Sequence, residues 1–199
     1  MKGALRVIGG ELKGRRLRGP EGCGIRPTGD RVRGALFDIL GPRINGSSFL
    51  DAYAGTGAVG VEALSRGASG VTFVEKDRPA VELLRRNVEM AGDLSRRARI
   101  VPRDLAAALR VLEEDGARFD IVFLDPPYEG GALDRALRLV GHSGVLHEES
   151  LVVSEHDART APRGVAALPA VRSVRYGHTA LTFHRVARGE KSGEALDAR

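Results

Sequence analysis

The stretch from Phe49 to Ala68, FLDAYAGTGAVGVEALSRGA, constrains the fold more than any other part of this chain. It reads as an apolar strand end, an acidic residue, a glycine-rich turn and the start of a helix. Gly55, Gly57 and Gly60 fall in G-x-G-x-x-G spacing. Glycines there permit positive φ and let a ligand approach the main chain closely. A strand–turn–helix of this kind belongs to an α/β sheet that binds a nucleotide-like cofactor beyond its strand ends. NAD, FAD and S-adenosylmethionine (AdoMet) all use such turns, so a second signal has to choose among them.

The flanking pattern supports one α/β domain. Strands are expected at 48–52, 70–75, 98–102, 119–124 and 150–155, with helices at 57–66, 78–91, 104–113 and 132–140 between them. In the clearest helix, Val81, Leu84, Val88 and Ala91 share a face opposite Glu82, Arg85 and Glu89, the stripe a core-facing helix needs. Two alternating strands, 171–176 and 180–186, read as an antiparallel pair. Alternating β and α elements imply a mostly parallel sheet with helices on both faces. Upstream, residues 4–18 read as a hairpin broken at Gly9-Gly10, and GPEGCGIRP as a loop. A helix over 30–40 is expected, capped by Thr28 or Asp30, with Val32, Leu36 and Ile39 as its buried stripe. Three units follow: a basic extension at 1–27, the main α/β domain at 28–186 and a disordered tail at 187–199.

A ribose-bearing cofactor needs a carboxylate at the end of the next strand. Glu75 lies 20 residues after Gly55, the spacing expected for that role. It also fits a surface Glu beside Lys76. Asp104 ends the third strand in the same manner. It fits an adenine contact, a helix N-cap, or both. Asp51 places a carboxylate before the turn, which suits the cationic amino and sulfonium groups of AdoMet and would repel a pyrophosphate.

The second signal is Leu124-Asp125-Pro126-Pro127-Tyr128. A buried strand delivers Asp125 to the same rim as the glycine turn. Paired prolines fix the backbone and remove two N–H donors, leaving acceptors available. Asp125 and the Pro126 carbonyl can accept both hydrogens of an exocyclic amino group, while Tyr128 offers a face on which a base stacks. These two turns on one rim favour AdoMet and an amino acceptor.

Charge and cysteine usage narrow the partners. Residues 1–34 hold nine Lys/Arg against three acidic residues, whereas the other 165 hold 22 and 23. Such a patch suggests a polyanionic partner, although a solvated basic surface accounts for it equally. Cys23 is the only cysteine, so a C-x-x-C metal or redox pair is ruled out, as is a thiol nucleophile on the strand rim. No apolar run approaches a membrane span of about 20 residues. A cytoplasmic location, with no membrane and no metal partner, is the expectation.

DAYAGTGAVGVEAL, VEKD and LDPPY resemble the class I AdoMet-dependent amino-methyltransferases, whose Rossmann-like sheet has seven strands. RVIGGELKGRRLRGP, RPTGDRVRGALFDIL and YGHTALTFHR narrow the likeness to the RsmD family. Its members are bacterial enzymes that methylate the exocyclic N2 of guanine in small-subunit (16S) ribosomal RNA. The resemblance spans about residues 4–186. It implies AdoMet contacts from Asp51, Ala52, Gly55, Gly57, Glu75, Lys76, Asp104 and Leu105, with Asp125, Pro126 and Tyr128 at the target base. It implies 16S rRNA, or the assembling small subunit, as partner. Lys13, Arg15, Arg16 and Arg18 would hold the RNA backbone together with Arg26 and Arg31, unless Arg26, Thr28 and Arg31 instead close the cofactor pocket. Gly34, Asp38 and His178 depart from the family pattern, where Glu, Asn and Asp are more usual. The rivals are an adenine-N6 methyltransferase, a non-catalytic RNA-binding assembly factor and an NAD oxidoreductase.

Overall fold

Short apolar runs alternating with helical stripes produce one twisted sheet with helices on its two faces. The computed structural model describes residues 5–19, 29–128 and 130–187. Cys23 and its loop, Arg26, Thr28 and the tail expected beyond residue 187 lie outside the described residues. The elements are α1 (Asp30–Leu40), β1 (Ser48–Asp51), α2 (Ala58–Ser65), β2 (Gly70–Val74), α3 (Arg78–Glu89), β3 (Ala98–Val101) and α4 (Leu105–Glu114). They continue with β4 (Phe119–Leu124), α5 (Ala132–Gly141), β5 (Leu146–Asp157), β6 (Ala170–Tyr176) and β7 (Thr179–Arg185). Two short 3-10 turns, Gly41–Ile44 and Gly92–Arg97, join helix to strand.

The strand order is β3-β2-β1-β4-β5-β7-β6. The first five in this order run parallel, and β7 pairs antiparallel with both β5 and β6. This is the Rossmann-like sheet expected from the sequence, mostly parallel with an antiparallel end. Central strands read as continuous apolar runs because both of their faces are covered. Phe49, Phe73, Ile121, Phe123, Val153 and Leu181 face α1 and α2, while Leu50, Val74, Val122, Leu124 and Val152 face α4 and α5. Chain order reverses between β1 and β4, which opens a crevice at the carboxyl ends of those strands.

The helix at 30–40 forms with a different cap and stripe from those expected. Gly29 occupies the N-cap without a side-chain cap bond, and Asp30 is the first helical residue. Its carboxylate instead accepts a bond from Arg33 Nη2 at 3.0 Å. The buried face is Val32, Arg33, Leu36, Phe37 and Leu40, with Ile39 only partly covered, because Phe37 turns in to stack on Phe49 at 6.4 Å between ring centroids. A Cβ on Gly34 would meet nothing within 4 Å. Gly34→Ala is therefore expected to stabilise the protein by about 1 kcal/mol, the helix-propensity difference, read as a raised denaturant midpoint at unchanged slope.

The N-terminal segment forms a hairpin-like loop joined by one antiparallel bridge, Arg6 to Arg16, rather than two full strands. Val7 N donates to Arg15 O at 2.9 Å and Leu17 N to Leu5 O at 2.8 Å. Val7, Leu12 and Leu17 are buried in the same core as α1 and α2. All eight residues of α2 are buried, since the sheet covers one side of this helix and the N-terminal loop another. Glu62, fully buried on α2, accepts Ile8 N and Gly9 N, each at 2.7 Å, and Arg66 Nε at 2.8 Å. Arg33, also fully buried, stands 3.7 Å from Glu62 and donates to Arg6 O at 2.5 Å. Two helices and the loop thus share one buried ionic cluster.

Candidate active site

The carboxyl ends of β1 to β5 open into one cleft of about 910 Å³, a size typical of small-molecule sites. The glycine turn forms its floor. Gly57, with φ of 77°, is the N-cap of α2, and a Cβ there would lie 2.3 Å from Leu84 Cδ1. A Cβ on Gly60 would lie 2.1 Å from Phe73 Cε1. These two glycines let α2 settle onto β2 and α3. Gly55 and Thr56 border the cleft itself.

Asp51 ends β1 and is 1% exposed. Its Oδ2 accepts Gly60 N at 3.0 Å, tying strand to helix across the turn. Burial pushes its carboxyl up to about 7, opposed by the Gly60 bond and reinforced by the nearby Glu75 charge. Near neutrality Asp51 is therefore about half ionised. An acid whose folded value is raised favours the native state most below about pH 4, and this contribution is lost as pH rises through about 7.

Glu75 reaches back over the turn. Its carboxylate accepts Gly55 N at 2.9 Å, Lys76 N at 2.8 Å and Asp77 N at 2.9 Å. Three backbone donors fix its orientation at the cleft wall, where further lone pairs can receive hydroxyl groups. Asp104 is the N-cap of α4, accepting Ala107 N at 2.9 Å, and lines the cleft as well. Ala52, Lys76 and Leu105 border the same space.

Asp125, Pro126, Pro127 and Tyr128, just beyond β4, line the same cleft. Asp125 is partly buried, Pro126 buried and Tyr128 exposed. The Tyr128 hydroxyl makes a long 3.5 Å hydrogen bond to Glu155 Oε1 on β5. Tyr176, His178 and Thr179, from β6, β7 and the turn joining them, complete this end. His178, singled out in the sequence only as a departure, is thus a cleft residue.

Lys13, Arg15, Arg16 and Arg18 are exposed on the N-terminal loop. Arg15 Nη1 donates to Met90 O, and Asn87 holds Arg18. That buried amide accepts Arg18 N at 2.8 Å and donates to Arg18 O at 3.0 Å and Thr56 O at 2.8 Å. One side chain therefore joins the basic loop to the glycine turn. Arg31 lies on the exposed side of α1 and is not among the residues lining the cleft, whereas Gly29 and Val32 are.

Sequence reasoning missed Arg135, Glu155, Tyr176 and Thr179, which line the cleft together with Tyr53 of the glycine turn. Burial raises the Tyr53 phenol, with Arg135 opposing and Asp104 reinforcing the shift, so it stays a neutral donor. Among the described residues, six carboxyl groups line the cleft against Lys76, Arg103 and Arg135, although the whole chain carries a net charge of +5. Such a lining favours a cationic ligand and a donor-rich acceptor, and it disfavours a pyrophosphate.

A family model described as "Conserved hypothetical protein 95" matches residues 5–185. The chain belongs to this family. It is 39% identical over 170 residues to the ribosomal RNA small subunit methyltransferase D of Escherichia coli, covering 84% of this chain and 81% of that protein. It superposes on a hypothetical protein of Thermus thermophilus with a TM-score of 0.79 and 36% identity, over 92% of this chain and 99% of that one. The rRNA methyltransferase aviRa of Streptomyces viridochromogenes shares the fold, with a TM-score of 0.65 at 17% identity over 83% of this chain and 88% of that one.

Proposed function

We propose that this family member transfers a methyl group from AdoMet to the exocyclic N2 of a guanine in small-subunit ribosomal RNA. One observation carries the reading: Asp125-Pro126-Pro127-Tyr128 shares a single acidic cleft with Asp51, the glycine turn, Glu75 and Asp104. The kinship to a small-subunit methyltransferase supports the choice of RNA.

The donor set fits AdoMet. Asp51 and the turn would hold its cationic amino-acid end, Glu75 its ribose hydroxyls, and Asp104 with Leu105 its adenine. When bound, AdoMet supplies an electrophilic methyl on a sulfonium. The guanine amino nitrogen is a poor nucleophile because its lone pair is delocalised into the ring. Asp125 and the Pro126 carbonyl accept its two hydrogens, turn the lone pair toward the cofactor side and stabilise the positive charge on nitrogen as the N–C bond forms and the methyl–sulfur bond breaks to leave a neutral thioether. The methylated amine then loses its extra proton to water. Tyr128 stacks on the base, worth about 1–3 kcal/mol. The base leaves its own stack to enter, while the arginines of the N-terminal loop hold phosphates outside an acidic cleft that would repel them.

Incubation with labelled AdoMet and unmodified ribosomal RNA or subunits, followed by nucleoside mapping, is expected to yield N2-methylguanosine. N6-methyladenosine would establish the adenine reading instead. Absence of any transfer by a protein that binds both ligands would establish an assembly factor.

Asp51 provides a separate test. A cation beside it lowers its pKa, so AdoMet binding near pH 6.5 is expected to release a large fraction of a proton. Calorimetry in buffers of different ionisation enthalpy measures that release. Asp51→Asn should abolish it.

A further inference from the structure

Glu155 is 4% exposed, lies at the carboxyl end of β5 and borders the cleft. Sheet register puts it beside the acceptor site. Leu124 on β4 pairs with Ser154 on β5, so the next residues, Asp125 and Glu155, follow one another on adjacent parallel strands. Adjacent parallel strands run about 4.8 Å apart, and residues in register share a face. The Tyr128 hydroxyl, bonded to Glu155, joins the stacking ring to this carboxylate. Removing a carboxylate from water is costly. Opposite Glu155 on β7 stands the apolar Leu181.

We propose that Glu155 is the residue that selects guanine over adenine, by accepting the guanine N1–H. This rests on the guanine-N2 reading and adds its specificity. The edge of guanine that carries N2 offers three adjacent donors: N1–H and the two hydrogens of N2. Asp125 and the Pro126 carbonyl take the N2 pair, and Glu155 supplies the third acceptor. Adenine with N6 in the transfer position turns the N1 lone pair toward Glu155, so two acceptors face each other in a water-poor pocket. A site built around a donor rejects analogues that lack it far more strongly than a pocket discriminating by shape.

The test compares guanosine with 2-aminopurine, which keeps the 2-amino group but presents N1 as an acceptor. Nucleoside mapping first identifies the methylated position. An RNA hairpin carrying either base there is then methylated by the full chain. The wild type is expected to prefer guanosine by on the order of 10²-fold. Glu155→Gln, whose amide can donate to N1, should reduce that ratio to below about 10-fold, while AdoMet affinity by calorimetry is unchanged. Glu155→Asp, which withdraws the carboxylate by one methylene, should also lower the ratio and serves if the Gln variant folds poorly. A ratio unchanged within about twofold overturns the assignment, whatever happens to the overall rate, because loss of structure alone slows both substrates alike. A wild-type product without N2-methylguanosine would instead defeat the functional reading on which this one rests.

Discussion

Asp125→Ala is expected to reduce methyl transfer by at least about 10³-fold while leaving AdoMet affinity within about threefold of the wild type. Asp125 lies one residue beyond β4, next to the end of β1, and lines the cleft. On the proposed mechanism its carboxylate acts on the amino group as charge develops there, so the loss should fall on kcat rather than on cofactor binding. Asp125→Asn keeps one acceptor oxygen and should retain more activity than the alanine variant. Single-turnover rates with saturating RNA, together with calorimetric AdoMet affinities, provide the comparison. A drop in affinity as large as that of a Glu75 or Gly57 variant would place Asp125 in the cofactor site instead.

Glu62→Ala should be the most destabilising substitution away from the cleft, at about 3–5 kcal/mol. The change leaves the fully buried Arg33 with only the part-exposed Asp30 as an acidic neighbour and removes the acceptor for Ile8 N and Gly9 N. Glu62→Gln retains an oxygen for the amides and should lose less. Denaturant midpoints at constant slope give both values. A loss below about 1 kcal/mol for the alanine variant would show that the cluster is readily replaced by water.

Local patterns made most of the fold legible. Strand β4, expected and observed at 119–124, and α3, expected at 78–91 and observed at Arg78–Glu89, follow directly from apolar runs and a clear stripe. Glycine spacing and the paired prolines likewise located the two halves of the cleft. What stayed hidden depended on contacts distant in sequence. Glu62 lies in a helical run with no sign of its burial, because the loop covering it is more than 50 residues away. Arg33 reads as one more member of a basic patch until the same cluster encloses it. Glu155 sits in an ordinary strand segment, and only the pairing of β5 with β4 reveals that it flanks Asp125. At Asp30 a helix-start residue was read as the cap, but its pairing with Arg33 left the cap position to Gly29.

β7, the last of the seven strands in chain order, lies between β5 and β6. Synthesis proceeds from the N-terminus, and earlier segments fold first. The glycine turn and its helix emerge well before the residues that finish the sheet. Until β7 leaves the ribosome, β5 presents an open edge, and the end of the cleft formed by Glu155, Tyr176, His178 and Thr179 has no frame. A nascent chain can therefore form the glycine turn before this end of the cleft is framed. The cleft is complete only once the final strand has paired between β5 and β6.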